Sequence, residues 1–373
     1  MIASVSFGQA GPPGQPGPSD PSPEIYEFGE VVVTADKTRV VEEVTTVDVV
    51  TWDEIQRSGA RTLDEAIALL PGLQLRRGAE GLILLDVRGL RSRNVLVLLD
   101  GVPLGSSFDG LFDLETLPLD SVARIELTRG ASSVLYGPTG NAGVVDVITR
   151  AASESSDSSL IVEGGTAESY RVASRTSWRR GDLGLVAAGS VAGSDGFELS
   201  DDFESTALED GGRRTGSDRD DHSALLSLTS TPDEGPRWGV TLGVRGGERA
   251  KPPATEDFRV SDFAPRTRFE REEADSLSLH AGLAAELGPN LTVRPNVFLN
   301  RTETLTDGFD DADFDSQEAA GAFREDATAS IFGGGVQLAL EDDSGSLWTL
   351  AVDVRREEWE ADGFEIVNAA GGG

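Results

Sequence analysis

The chain has 373 residues, a formal net charge of −33, no cysteine and two widely separated histidines, His222 and His280. That length has room for two domains, while the missing thiols exclude disulfides and thiolate metal sites and the scattered imidazoles argue against a histidine-based centre. The charge excludes a nucleic-acid binder, because polyanions need basic surfaces.

The acidity is uneven: residues 1–150 hold 12 basic and 21 acidic side chains, and residues 151–373 hold 20 and 44. A boundary near position 150 follows. No run of 18 apolar residues exists, so no membrane-spanning helix is predicted; a barrel strand needs only about 10 residues of alternating polarity. At the front, "MIASVSFGQA" is weakly apolar and ends in the small residues Gly8 and Ala10. It reads as the tail of an export signal or as an irregular start. "GPPGQPGPSDPSPE" follows, an extended Pro/Gly tether, so residues 1–29 are assigned to residual signal and tether. Then comes "EVVVTA" (Glu30, Val31, Val32, Val33, Thr34 and Ala35), a β-former with nothing nearby to pair with.

Residues 36–150 mix strands and helices. "TTVDVVT" alternates and is β-branched, which predicts a strand, and "TWDEIQRSG" predicts a short helix stopped by Gly59. In "RTLDEAIALLPG", Thr62 and Glu65 have capping-box spacing, Leu63, Ile67 and Leu70 share a face, and Pro71-Gly72 ends the helix. "LILLDVRG", "NVLVLLDGVPL", "ARIELTRG" and "GVVDVITR" are four further strand candidates. Asp86, Asp100, Asp109 and Asp113 fall at strand ends or in Gly-rich loops, where aspartate forms turns, and no acid–base pair is assigned. "GPTGNAG" lacks the lysine of a phosphate loop and the spacing of a dinucleotide fingerprint. Arg76, Arg77, Arg88, Arg91 and Arg93 make a local basic spot. It pairs either with the acidic second half or with an anionic ligand held by forked guanidinium groups.

From 151 onward the period is two. "RWGVTLGVRG" puts Trp238, Val240, Leu242 and Val244 on one face, and Gly239, Thr241, Gly243 and Arg245 on the other. "DSLSLHAGLAAEL" and "NLTVRPNVFLN" repeat the division, with His280 on the polar side. Such dyads suit strands with lipid outside and water inside, although a sandwich also alternates. The connections at 180–182, 231–236, 288–290 and 342–345 are short. Those at about 195–218, 248–270 and 305–325 are long and polar, an alternation expected of a barrel with two different ends. Nine strands are predicted, with cores at 159–166, 169–180, 183–194, 219–230, 237–247, 271–287, 291–304, 326–341 and 346–358. In the acidic loop "DGFDDADFDS", Asp310, Asp311, Asp313 and Asp315 offer oxygens to calcium, but the calcium-loop glycine and final glutamate are missing. A solvated loop is the alternative.

"LPGLQLRRG", "DVRGLRSRNVLVLLDGVPL", "VARIELTRGASSVLYGPTGNAGVVDVITR" and the leading "EVVVTA" resemble, in order and from Glu30 to Arg150, the plug domain of TonB-dependent outer-membrane receptors. The spacing is nearest the vitamin B12 and catecholate-siderophore branches. The resemblance implies an α+β plug domain (36–150) followed by an antiparallel transmembrane β-barrel in the outer membrane, incomplete over 151–373. Plugged transporters have about 22 strands, which at this spacing need roughly 700 residues, so a fragment or broken gene is expected. The resemblance makes Glu30 to Ala35 the TonB box, paired by strand addition with TonB and its inner-membrane energising complex. It puts a small ligand, an iron chelate or cobalamin, at plug apices near Arg77, Gly78, Glu80, Ser106, Ser107, Phe108 and Asp109. Arg88 and Arg129 match the plug's arginine–glycine positions and are expected to pair with barrel carboxylates. No cofactor, metal or nucleic acid is implied, and no nucleophile–base pair suggests an enzyme. Two alternatives are kept. A signalling receptor needs an extra domain ahead of residue 30. A soluble periplasmic or secreted binding module predicts solubility without detergent.

Overall fold

The computed structural model describes residues 2–7, 46–77, 83–105, 112, 114, 117, 119–129, 142–152, 156–206, 208–253, 255, 269–319, 321–341 and 347–366. In the N-terminal half, β2 (Thr46–Thr51), β3 (Leu73–Arg77), β4 (Ile83–Val87), β5 (Val95–Leu99), β6 (Val102–Pro103), β7 (Val122–Arg129) and β8 (Gly143–Thr149) surround two short helices. Five of these strands form one sheet in the order β2-β7-β8-β5-β6, and β3 and β4 form a separate hairpin. Within the sheet β5 and β8 run parallel while β7 is antiparallel to both its neighbours.

Local chemistry explains the helices. In Trp52–Ser58, Thr51 and Glu54 make a reciprocal capping box, and Gly59 closes the end at φ +74°, a conformation that suits residues without a Cβ. The second helix, Leu63–Ile67, starts at Thr62 without a side-chain cap. The box expected there is absent because Glu65 reaches one residue further back and accepts from the Arg61 N–H at 2.7 Å. Leu63, Ile67 and Leu70 are buried as their shared face requires, in a core with Ile55, Leu85, Val97, Leu127 and Val145. Thr51→Ala is expected to cost about 1 kcal/mol, read as faster hydrogen exchange at the first-turn amides.

Two elements differ from the sequence reading. "NVLVLLDGVPL" is a hairpin rather than one strand: Asp100 and Gly101 are both left-handed, at φ +49° and +80°, and Leu99 pairs with Val102. That is the geometry a two-residue Asp-Gly turn prefers. "LQLRR", not foreseen as a strand, is β3, with Leu75 opposite Leu85.

The second half is a wall of nine antiparallel strands in sequence order: β9 (Asp157–Gly164), β10 (Tyr170–Arg180), β11 (Leu183–Ser194), β12 (Arg219–Ser230), β13 (Arg237–Lys251), β14 (Phe269–Glu286), β15 (Leu291–Phe309), β16 (Phe323–Glu341) and β17 (Leu347–Glu365). At its first edge β1 (Ile2–Phe7) adds antiparallel to β9, with Ile2 opposite Glu163. An edge strand offers unpaired backbone groups that any extended segment can satisfy, so a stretch read as a signal tail or irregular start is a strand here. The connection between β9 and β10 (165–169) is short although it lies on the long-loop side. The alternation of loop lengths therefore begins only after β10. Strands β13 to β17 also run further into that side than expected. Among the described residues no helix is long and apolar enough to cross a membrane.

Candidate functional site between the N-terminal domain and the wall

The two faces of the wall are chemically distinct. On β13 the outward Val240, Leu242 and Val244 are 37–42% exposed, while the inward Thr241 and Arg245 are 5–7% exposed. Ser227, Ser278, His280, Asn300 and Gln337 are likewise buried on the inner side of their strands. His280 lines the inner face as its alternation implied, and among the described residues no group of His, Cys, Asp or Glu could hold a metal.

The outer face is apolar over a limited height. On β13 it runs from Trp238 to Gly246, and Glu248 follows. Eight residues at about 3.4 Å each span roughly 27 Å along a strand, and a tilt near 40° reduces this to about 20 Å, close to the apolar band of an outer-membrane barrel. Trp178, Trp238 and Trp348 sit near the short-turn end. Above the band, cross-strand ion pairs continue the sheet on both faces: Arg271 with Glu248 at 2.6 Å outward, and Arg249 with Glu272 inward. These pairs explain why strands extend into segments that read as polar loops.

The N-terminal domain packs on the inner face. Leu225 of β12 belongs to its core cluster. Asn300 Nδ2 on β15 donates to the Pro103 and Leu104 carbonyl oxygens at 3.3 and 3.1 Å. The Arg245 guanidinium of β13 lies 4.8 Å from the centre of the Phe112 ring. Arg171 of β10 pairs with Asp120 of the domain and also with Glu163 of the wall, the latter at 3.4 Å. The chain leaves the domain tightly: a Cβ at Gly184 would meet the Ala152 Cβ at 2.6 Å. Beside these contacts a cleft of about 210 Å³ runs between Arg61, Thr62, Leu117 and Leu119 on the domain and Arg171, Ser190, Arg219, His222 and Ser223 on the wall.

The predicted site residues fare differently. Glu30, Val31, Val32, Val33, Thr34 and Ala35 lie outside the described residues, as do Gly78, Glu80, Ser106, Ser107, Phe108 and Asp109; the backbone of Arg77 closes β3. Among the described residues Arg129 reaches no wall carboxylate. It pairs with Asp48 inside its own sheet, because β2 and β7 are neighbours and Asp48 is diagonal to it on the ladder. Arg88 is exposed at a left-handed turn, φ +49°, and has no ion pair among the described residues. Of the basic spot, Arg76 pairs with Asp86 on the adjacent strand at 2.9 Å, which is internal pairing but within the first domain. An ion pair that crosses between domains among the described residues, Arg171 with Asp120, has the opposite sense, with the arginine on the wall and the aspartate on the domain. Asn300 and Asp120 were not foreseen; the inward register of β15 is the one signal for Asn300.

The face of the small sheet opposite its apolar core carries buried charge. Glu126 on β7 stands directly opposite Asp146 on β8 and pairs with Arg124 at 2.6 Å. Asp146 Oδ1 accepts from the Gly101 N–H at 3.2 Å, and its Oδ2 has no partner among the described residues. Burial, and then the Glu126 carboxylate, push the Asp146 carboxyl up to about 7. Asp100 accepts from the Thr149 N–H and hydroxyl at 2.9 and 2.8 Å, yet burial still raises its pKa. Both aspartates tie strands together across the sheet, in the case of Asp100 beyond the turn-forming role read from the sequence. In the acidic outer loop, Asp310 accepts from the Glu318 N–H at 2.8 Å and Asp311 from the Asp315 N–H at 3.3 Å, so backbone donors occupy oxygens considered for calcium.

A family profile described as the TonB-dependent receptor plug domain matches residues 39–144. The vitamin B12 transporter BtuB of Photobacterium profundum is 33% identical over 174 residues, which are 45% of this chain and 28% of that protein. BtuB of Vibrio cholerae is 38% identical over 128 residues, 33% of this chain and 21% of its own. Among solved structures, the copper transporter OprC superposes with a TM-score of 0.65 at 17% identity, over 85% of this chain and 47% of OprC. The alcaligin receptor FauA of Bordetella pertussis gives 0.61 at 11% identity, over 86% and 48%. The chain thus spans less than a third of these curated relatives and about half of these solved chains, and the structural likeness is one of fold.

Proposed function

The chain belongs to the TonB-dependent outer-membrane receptors, a family of receptors and transporters rather than enzymes, and from that premise we propose that it takes up a scarce ligand into the periplasm. The ligand class we favour is cobalamin or an iron chelate, on the strength of the B12 transporters that match 174 and 128 residues of this chain. The observation that carries the reading is the seating of an α+β domain on the polar inner face of a wall whose outer face is an apolar band. A water-soluble module would not keep Leu242, Leu279 and Val297 on its exposed side. In this reading residues 1–29 hold the added edge strand and the Pro/Gly tether, 30–35 are the TonB box, 36–150 the plug and 151 onward barrel wall.

An outer membrane holds no nucleotide supply and no ion gradient, so work has to arrive by mechanical contact. Strand addition provides it: a row of backbone hydrogen bonds that depends little on side-chain identity. Val32→Pro removes one ladder donor and resists strand pairing. The expected result is unchanged abundance in the outer membrane with loss of radiolabelled cyanocobalamin or ferric-siderophore accumulation, in a host lacking its own receptors. Normal accumulation by the variant would refute TonB-box coupling, and no accumulation of either probe by the parent would refute this ligand class.

A further inference from the structure

Asn300 and Arg245 reach the N-terminal domain from two strands of the wall at nearly one height. Arg245 stands opposite Ser276, and Ser276 opposite Thr302; the next inward row is Gly243, Ser278 and Asn300. The two side chains are therefore on adjacent rows, separated only by β14, about 10 Å across the sheet. Both are buried, at 3% and 7% exposure. Asn300 spends its amide donor on two successive carbonyls of the domain, at Pro103 and Leu104. Arg245 covers the ring of Phe112, which also packs against the domain's own core.

We propose that Asn300 and Arg245 form a clasp that fixes the seat of the plug against the wall, and that the force delivered to the plug must first undo this clasp. The proposal rests on the plug-in-barrel reading above. Two features suit the role. The Asn300 bonds go to main-chain oxygens, so they specify a position of the domain rather than one partner side chain. The Asn300 hydrogen bonds are also neutral and separate without leaving a bare buried ion pair, unlike Arg171 with Asp120. The Asn300 half of the clasp can therefore break and re-form more readily than that ion pair.

The test uses the purified protein in planar lipid bilayers, with conductance recorded as urea is raised to displace the plug. Asn300→Leu keeps the volume and removes the donor; Arg245→Met keeps the stem and removes the charge. Barrel folding is verified by resistance to dodecyl sulfate at room temperature. Each variant is expected to begin conducting at a lower urea concentration than the parent, and the double variant lower still. Parental thresholds in both folded single variants would overturn the clasp, and so would a threshold lowered equally by Ser276→Ala, whose hydroxyl bonds Thr302 on the neighbouring wall strand. If the parent accumulates no ligand but the thresholds still depend on Asn300 and Arg245, the clasp stands and only the transport reading falls.

Discussion

Asp146→Asn is expected to stabilise the plug above pH 7 and to leave it nearly unchanged near pH 4. The cause is the register of β7 and β8, which places Glu126 and Asp146 face to face in a buried sheet. Like charges directly opposite each other repel, and burial penalises the ionised form further, so the folded-state pKa of Asp146 rises from 3.8 to about 7. Below pH 3.8 both folded and unfolded chains are protonated and Asp146 costs nothing. Between 3.8 and about 7 the unfolded chain gives up a proton that the folded chain retains, and stability falls as pH rises. Above about 7 the loss is complete. At about 1.4 kcal/mol per pH unit it reaches the order of 4 kcal/mol. Asparagine keeps an oxygen for the Gly101 N–H and cannot ionise, so a gain of about 2–4 kcal/mol at pH 8 is expected. Its neighbour should behave oppositely. Glu126→Gln breaks a buried pair with Arg124 and is expected to destabilise by about 3 kcal/mol. Hydrogen exchange at the β8 amides, followed at pH 4 and pH 8, measures both. An equal gain for Asp146→Asn at the two pH values would show that the effect is not linked to a proton.

The register of the wall was legible because lipid and water impose opposite demands on alternate residues: Trp238 to Val244 on one side and Gly239 to Arg245 on the other need no tertiary knowledge to separate. Helix positions were legible from Gly59 and from the Leu63, Ile67 and Leu70 face. Which threonine would complete a capping box was not, because Glu65 had a competing donor one residue away in Arg61. The Asp100-Gly101 hairpin was legible in principle, since Asp-Gly between apolar runs is a strong turn signal. Contacts between the domains were the least accessible. Asn300 lies 196 residues from Leu104 and Arg171 lies 51 from Asp120, and no local pattern links them. The sense of that ion pair shows the limit plainly: arginine–glycine spacing pointed to plug arginines, while folding gave Arg129 to Asp48 and left a wall arginine to make the bridge.

Leu242→Arg is expected to cost the wall about 2–4 kcal/mol, with the penalty falling off toward both ends of β13. Leu242 lies four residues above Trp238 and six below Glu248, so its side chain sits near the middle of the apolar band and faces outward at 40% exposure. Arginine there must either hold a charge in hydrocarbon or bend its stem towards a polar boundary. Val240→Arg and Val244→Arg lie nearer the tryptophan level and the charged extension and should cost less. The comparison distinguishes lipid from water without reference to any ligand. On a water-facing strand, substitutions at three exposed residues would each fall within about ±0.5 kcal/mol. A penalty that peaks at Leu242, measured by urea unfolding in phospholipid vesicles, requires hydrocarbon at that depth. A flat series would remove the lipid from the outer face. The polar inner rows and the plug seated on them would then need another explanation, because a wall wet on both sides has no reason to sort Leu242 from Thr241.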